Sequence, residues 1–335
     1  MFERSKFSPP MARSWHRPAS AVGAVTRRRR RLGIALAVVA GLLLTGCVAQ
    51  GNAEATPLRV FATTGYLADA AARIAPDARI VTMVGPGGDP HSYQPSTRDI
   101  EWVLDADLVL WNGLGLEAQM EDQLESLGIR QVAVAEALPA ERLIRLDDTG
   151  GADLYDPHVW NDPELWAEAI GVIAEVFAER DPSAADRYRE RGAAFAAEVR
   201  DAGARARVDL ESVPPPRVLI TGHDAFGYFG RAFDLRVLAT DFISTEAALS
   251  PQELHRLATL IATERIPVIF HDNQANPQAI QSLREAVLAL GWRVKISDAE
   301  LFADSLGARA DVDEYLEVLD HHARTIRREL GGSGT

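Results

Sequence analysis

The chain has 335 residues, of which 47% are hydrophobic, and its formal net charge at pH 7 is −13. Because an acidic chain repels the phosphate backbone, this charge argues against a nucleic-acid-binding protein. The single cysteine excludes an internal disulfide, and the length is sufficient for one large hydrophobic core or two modest ones.

Residues 1–46 are predicted to be a lipoprotein signal peptide. Five arginines precede an apolar run over 32–44, whose 13 residues are fewer than the roughly 20 that a membrane-spanning helix needs. The run ends in Leu-Thr-Gly before Cys47, which resembles the lipobox of bacterial lipoproteins. We therefore expect cleavage before Cys47, a lipid anchor on its sulfur, and a flexible tether over 47–57.

Removal of that segment makes the remaining chain more acidic. Residues 1–46 carry nine basic residues and one acidic residue, which leaves 26 basic against 47 acidic residues and a formal net charge of −21. This charge is compatible with the attraction of cations, although most acidic side chains are expected on solvated helix faces.

Residues 58–180 are predicted to form a first α/β lobe. The runs "LRVFATT", "ARIVTMVG", "DLVLWNG" and "QVAVAE" read as strands, and segments of helical period lie between them, including 97–104 and 116–127. Apolar strands that alternate with amphipathic helices indicate a parallel sheet covered on both faces. Ligands of such sheets bind beyond the carboxyl ends of the strands, where the loop "GPGGDPHSYQP" emerges.

Residues 181–212 are predicted to be one linking helix, because the stretch has no internal proline or paired glycine. A break into two helices at Gly203 is the alternative. A continuous helix would restrict hinge motion, since bending it would break backbone hydrogen bonds.

Residues 213–335 repeat the alternation and are predicted to form a second lobe, with strands at "RVLIT", "IPVIF" and "WRVKIS". The fold class predicted for the whole chain is α/β. It has two lobes, each a mostly parallel sheet flanked by helices, joined by one long rigid helix.

Four distant segments each present a potential metal ligand. They are "GGDPHSYQP" with His91, "YDPHVWNDP" with His158, "TGHDAFGYF" with His223 and "LFADSLG" with Asp304. Three imidazoles and a carboxylate suit Zn²⁺, and Mn²⁺ accepts such ligands with a larger coordination number. The rival carboxylate to Asp304 is Asp298. Structural roles are the alternatives, such as a loop histidine, a histidine packed on an aromatic ring, or a helix cap.

These motifs, together with "ADLVLWNGLGLE" and "DPELW", resemble the solute-binding lipoproteins of zinc and manganese ABC importers, the ZnuA/TroA-like cluster A-I family, over residues 57–330. The resemblance implies that one metal ion lies between two lobes. It implies that His91 and His158 bind it from the first lobe, and His223 and Asp304 from the second. His271 and Asp272 are expected to line the cleft and orient a ligand imidazole. His255, His321 and His322 are expected to face solvent.

The resemblance further implies a binding protein and not an enzyme. The implied partners are an ABC permease and its ATPase, and the implied state is a monomer on the outer face of the bacterial cytoplasmic membrane or in the periplasm. A histidine at position 223 is more common in the zinc branch, so zinc is expected first and manganese second. Against zinc, residues 138–157 lack the histidine-rich loop of many zinc-specific relatives.

Two other functions are compatible with the sequence. A zinc hydrolase would use His91, His158 and His223 as ligands and Glu246 as general base, although no HExxH pair, nucleophile elbow or phosphate loop accompanies them. An adhesin-like surface protein with a structural metal is the other, but structural ligands are expected to cluster within one small module.

Overall fold

The computed structural model describes residues 57–146, 154–240 and 250–331. The predicted signal peptide, Cys47, nearly all of the tether and Glu246 lie outside these residues. The strands are β1 Arg59–Ala62, β2 Arg79–Thr82, β3 Leu108–Trp111, β4 Gln131–Ala133, β5 Val218–Thr221, β6 Arg236–Ala239, β7 Val268–Ile269 and β8 Lys295–Ile296. The helices are α1 Gly65–Ile74, α2 Thr97–Asp105, α3 Glu121–Glu125, α4 Pro163–Arg180, α5 Ala185–Glu211, α6 Gly227–Phe233, α7 Pro251–Glu264, α8 Pro277–Ala289 and α9 Tyr315–Leu330.

The first four strands form one parallel sheet in the order β2-β1-β3-β4. All four residues of β3 are buried. Leu108 and Leu110 pack into one hydrophobic cluster and Val109 and Trp111 into another, as the alternation of side chains along a strand requires. Both faces of the sheet are therefore covered, which confirms the predicted parallel α/β fold.

Helix starts follow the local sequence where capping residues are present. Ser96 caps α2, and its partner Asp99 accepts a hydrogen bond from the Ser96 backbone N–H. Helix α3 is shorter than the predicted 116–127. Residues 116–120 form turns instead of a regular helix, and they follow a left-handed stretch in which Gly113, Leu114 and Gly115 have φ values between 56° and 79°.

Helix α5 is continuous over its 27 residues, with no break at Gly203. At 1.5 Å per residue its length is about 40 Å. A Cβ at Gly203 would lie 2.7 Å from the Pro163 ring, so this glycine permits close packing of α5 on α4. The helix also contacts α1 and α9. The lobe boundaries drawn around it, 58–180 and 213–335, stay a prediction.

The later strands pair in parallel as β5-β6 and β7-β8. The backbone N–H of Phe270, directly after β7, donates to Ile220 O in β5, so β7 lies beside β5. Strands β5, β7 and β8 were predicted, but β6 was missed. Its four residues are too few to give a clear pattern of apolar residues, and only three of them are partly buried.

Helix α9 corrects one prediction. His322 does not face solvent: its side chain is buried, and its Nε2 accepts a hydrogen bond from Phe302 N–H at 2.9 Å. Val318, Leu319 and Ile326 are buried on the same face, at the spacing expected for one side of a helix. Among the described residues, no helix is long and apolar enough to cross a membrane.

Candidate metal centre

Four side chains from distant parts of the chain converge on one buried point. His91, His158, His223 and Asp304 each offer a ligand atom, and these atoms all lie within 4.8 Å of one another. The exposed fraction is 7% for His91 and 0% for the other three residues. The structure therefore brings together the four residues that the sequence singled out.

The separations of the donor atoms suit a single small cation. The Nε2 atom of His158 lies 3.3 Å from Nε2 of His91 and 3.3 Å from Nε2 of His223. Asp304 contributes Oδ1 at 3.3 Å from His158 and Oδ2 at 3.2 Å from His223. Zinc bonds of about 2.0–2.2 Å would separate tetrahedral donors by about 3.3–3.6 Å, close to these distances.

Both oxygens of Asp304 face this point. Among the described residues neither oxygen accepts a regular hydrogen bond, although both are fully buried. A buried carboxylate is costly unless a positive charge compensates it, which here is either a protonated imidazole of the cluster or a bound cation. Asp304 can therefore offer one or both oxygens to an ion, which accommodates a coordination number of four or five.

His91 and His158 lie in loops with the same local geometry. Asp89 and Asp156, each two residues before the histidine, accept the histidine backbone N–H on Oδ1 at 2.9 Å. The intervening prolines restrict the backbone to extended or turn conformations. The tripeptide Asp-Pro-His thus builds a small turn that presents the imidazole at the carboxyl end of the first sheet.

Asp156 also contacts the ring of His158, with Oδ1 at 2.7 Å from Nδ1. This contact leaves Nε2 directed at the site, and carboxylate partners of this kind increase the basicity of a ligand imidazole. Sequence reasoning missed Asp156. The signal was present, since Asp-Pro precedes both candidate histidines of the first half.

A buried network of hydrogen bonds connects the His158 turn to the ends of two strands. Asn112 Nδ2 donates to Pro157 O at 2.9 Å, and Asn112 N–H donates to the Glu117 carboxylate at 2.8 Å. Thr63, at the end of β1, donates its hydroxyl to the same carboxylate. Burial raises the pKa of Glu117 to about 7 despite these donors. The ends of β1 and β3 are thereby tied to the backbone beside His158.

His223 and Asp304 are positioned through their backbone. Asp272 Oδ2 accepts the N–H groups of Gly222 and His223 at 2.9 and 3.0 Å, so Asp272 orients the His223 loop and not an imidazole. His271 is not among the converging donor residues, and it lines a separate cavity of about 450 Å³ with Glu300 and His321. The rival Asp298 lies at the surface and pairs with Lys295 at 2.8 Å.

Aromatic residues of the first half contact the turn that carries Asp304. Trp160 Nε1 donates to Ala303 O at 2.8 Å, and the Tyr66 hydroxyl donates to Phe302 O at 3.1 Å. The two rings stack with centroids 5.0 Å apart. The local sequence does not predict these contacts, because Tyr66 and Trp160 are far along the chain from residues 302–303 and meet them only in the tertiary structure.

The four groups determine each other's protonation. Burial raises the pKa of Asp304, but the imidazoles of His223 and His158 outweigh burial and hold its pKa well below the usual range. Burial lowers the pKa of His158, yet Asp156 and Asp304 raise it to about 10. Burial dominates at His91 and lowers its pKa to about 4. A cation that binds here must displace the proton that the carboxylates stabilise on His158.

Known proteins share this sequence and fold. The family model for periplasmic component A of zinc-uptake complexes, ZnuA, matches residues 60–329. The zinc-binding protein TroA of Treponema pallidum is 34% identical over 298 residues, which cover 88% of this chain and 95% of TroA. The manganese-binding lipoprotein MntA of Bacillus subtilis is 32% identical over 308 residues, 90% of this chain and 99% of MntA.

A solved structure agrees with these matches. The periplasmic zinc-binding protein TroA from Treponema pallidum superposes with a TM-score of 0.78 at 35% identity, over 82% of this chain and 99% of that chain. Sequence, fold and the converging His/Asp cluster thus point to the same group of proteins, and this chain belongs to the ZnuA family.

Proposed function

We propose that this protein is an extracytoplasmic substrate-binding protein that captures one divalent transition-metal ion and delivers it to an ABC importer. The ion is cargo, bound by His91 and His158 from one lobe and by His223 and Asp304 from the other. Binding needs no chemistry beyond ligand exchange and proton release. Delivery requires docking on a membrane permease whose ATPase drives transport.

The observation that carries this proposal is the burial of all four donors at one point where both halves of the chain meet. A metal shared by two halves stabilises their joined arrangement, so its binding is coupled to the relative position of the halves. Such coupling is what a receptor needs if a transporter is to distinguish the loaded form from the empty form.

Zinc is proposed as the preferred ion and manganese as the second. Three imidazoles suit zinc, and intrinsic affinities for such ligands rise from manganese toward zinc. The similar proteins TroA and MntA are named for zinc and manganese respectively, at nearly equal identity to this chain. Both oxygens of Asp304 face the imidazole nitrogens, which also permits the larger coordination number that manganese prefers.

The hydrolase alternative is disfavoured by the same geometry. A catalytic zinc ion keeps an open position for water and substrate. Here Asp304 faces the point at which the three imidazoles meet, and all four side chains are at least 93% buried. A fourth protein ligand and this burial leave little access for a substrate.

A structural metal is the other alternative, and chelation separates it from a cargo metal. If the ion is cargo, removal of the metal should leave a folded protein with a lower Tm, because only the bound form gains the binding free energy. A structural site would unfold the protein instead. Circular dichroism during titration with a chelator measures this difference.

The proposed anchor is a lipid on Cys47, which would hold a monomer at the outer face of the cytoplasmic membrane or in the periplasm. Labelling with a radioactive or clickable fatty acid in a bacterial host tests it, with Cys47→Ser as the control. Label on the variant equal to that on the unchanged chain would exclude Cys47 as the lipidation site.

The central experiment is calorimetry of metal-stripped protein with Zn²⁺ and Mn²⁺ at matched pH. We expect one ion per chain and tighter binding of zinc. Tighter binding of manganese would reverse the proposed order of metals. Absence of binding by both ions would contradict the function itself. Anomalous scattering from crystals soaked with one metal would identify the ion and its coordinating atoms together.

A further inference from the structure

Three consecutive residues after β7 contact three of the four ligand-bearing loops. Asp272 accepts the backbone N–H of His223 at 3.0 Å. Asn273 accepts the N–H of Ala303 at 2.8 Å and donates to Ser305 O at 2.9 Å, on both sides of Asp304. Gln274 Nε2 donates to Gly88 O at 2.8 Å, in the loop that carries His91. This short segment is therefore connected to both halves of the metal centre.

Ser305 makes a second connection to the same loop. Its Oγ accepts the N–H of Gly87 at 2.9 Å and the side-chain amide of Asn273 at 2.7 Å. The amide of Asn273 therefore orients the Ser305 hydroxyl toward Gly87. Two neighbouring peptide groups of the first half are thus bound by side chains of the second half.

The loop over residues 85–91, here named the His91 loop, is less firmly enclosed than the rest of the site. Residues 85–87 are exposed, and Gly87 has a φ of +74°. A cavity of about 460 Å³, lined in part by Gly85, Pro86 and Leu306, lies beside the loop. Space into which the loop can move is therefore already present.

The other ligands lack this freedom. His158 is fully buried and bonded to Asp156, and His223 and Asp304 are fully buried and fixed by Asp272 and Asn273. His91 is the ligand with measurable exposure, 7%. If one ligand is to leave first, His91 requires the smallest rearrangement of packed groups.

We infer that Gln274 and Ser305 form a latch that holds the His91 loop over the metal and so limits the rate at which the metal leaves. They are positioning residues, since they act through the backbone of the His91 loop and do not contact the ion. This inference rests on the proposed function. When the latch opens, the His91 loop moves into the neighbouring cavity, and the ion keeps His158, His223 and Asp304 until it departs.

The test is the rate of zinc loss, measured by rapid mixing of zinc-loaded protein with an excess of a chromogenic chelator. Gln274→Met keeps the length of the side chain but removes the amide donor, and Ser305→Ala removes the hydroxyl. Each variant should release zinc roughly 3- to 10-fold faster, the range that corresponds to the loss of one neutral hydrogen bond. The double variant should be faster than either single variant.

Two further measurements separate a latch from a general structural role. The association rate of zinc and the Tm of the metal-free form should stay within error of the unchanged protein, since the latch acts on the loaded, closed form. Gln278→Ala is the matched control, because Gln278 is exposed and lies four residues from Gln274. Its zinc release should equal that of the unchanged protein.

The outcomes are distinguishable from failure of the proposed function. If the unchanged protein binds zinc in calorimetry and the variants release it at the unchanged rate, the latch is wrong and the proposed function stands. If the variants lose affinity through slower association or a lower metal-free Tm, the latch is also wrong. If the unchanged protein binds neither zinc nor manganese, both proposals are wrong.

Discussion

His91 and His158 follow the same dipeptide, Asp-Pro, and have the same backbone turn, but they differ in their surroundings. His158 is fully enclosed, and Asp156 contacts its Nδ1 at 2.7 Å. His91 is partly exposed, and the Ser92 hydroxyl donates to Asp89 Oδ2 at 2.7 Å. Burial lowers the pKa of both rings, but Asp156 and Asp304 outweigh it at His158 and raise that pKa to about 10, whereas burial dominates at His91 and lowers its pKa to about 4.

The same Asp-Pro-His turn can therefore provide two kinds of ligand. His158 is a strongly basic donor that carries a proton until the metal arrives, and its carboxylate partner fixes the ring. His91 is neutral at physiological pH and is ready to bind, on a loop with space beside it. One half of the chain thus contributes a fixed ligand and an adaptable ligand.

Removal of either imidazole should have the largest effect on metal affinity, and it tests whether His158 and His91 contribute differently. Loss of one ligand of four removes about a quarter of a binding free energy of roughly 10–16 kcal/mol, or about 100- to 1000-fold in affinity. We expect His158→Ala to approach the upper value and His91→Ala the lower value. Competition with a chelator of known affinity measures both, and a larger loss for His91→Ala would contradict the assigned roles.

Neutralisation of Asp156 or Asp89 should have an intermediate effect on zinc affinity, and it tests whether the two carboxylates have different roles. Asp156→Asn removes the charge that supports the ring of His158 and should weaken zinc binding about 10- to 100-fold, as loss of a carboxylate behind a ligand histidine does. Asp89→Asn is the matched control, because it alters the same position of the other Asp-Pro-His turn. Equal losses in the two variants would show that the carboxylates serve only the backbone turn.

For a change of one pH unit, the pH dependence should give the smallest effect, at most about tenfold in affinity for each proton displaced, although the change accumulates over the range. Because Asp156 and Asp304 raise the pKa of His158 to about 10, zinc must displace a proton at neutral pH, so affinity should rise with pH from 6 to 10. Burial lowers the pKa of His223, but Asp304 outweighs it and raises that pKa as well, so calorimetry in buffers of different ionisation enthalpy should count about one to two released protons at pH 7. A count of zero would contradict a protonated His158.

The metal-free fold should respond to pH in the opposite direction. A histidine whose pKa is raised in the folded state adds stability that is fully present below the unfolded value, about 6.5. That contribution is lost as the pH rises through the folded value of about 10. Thermal unfolding of metal-free protein across this window provides the check, and Asp156→Asn should reduce the slope.

Sequence patterns predicted the parts of this molecule that depend on neighbouring residues. The alternation of strands and helices, the continuous helix α5 and the capped start of α2 follow from periodicity and from side-chain capping within a few positions. The predicted start of α3 was wrong, because residues 116–120 form turns, and apolar spacing alone does not distinguish such turns from a helix. His322 was misplaced because its polarity was weighed above the helical spacing that buries it.

The sequence by itself determined which ligand types are available, three imidazoles and a carboxylate in rigid turns, and the order of the elements that carry them. Only the tertiary structure decided that they meet, that Asp156 and not Asp89 lies 2.7 Å from its histidine ring, and that Gln274 and Ser305 reach the His91 loop. The reason is physical. Caps and periodicity act over a few residues, whereas burial and charge act between groups that only packing brings together.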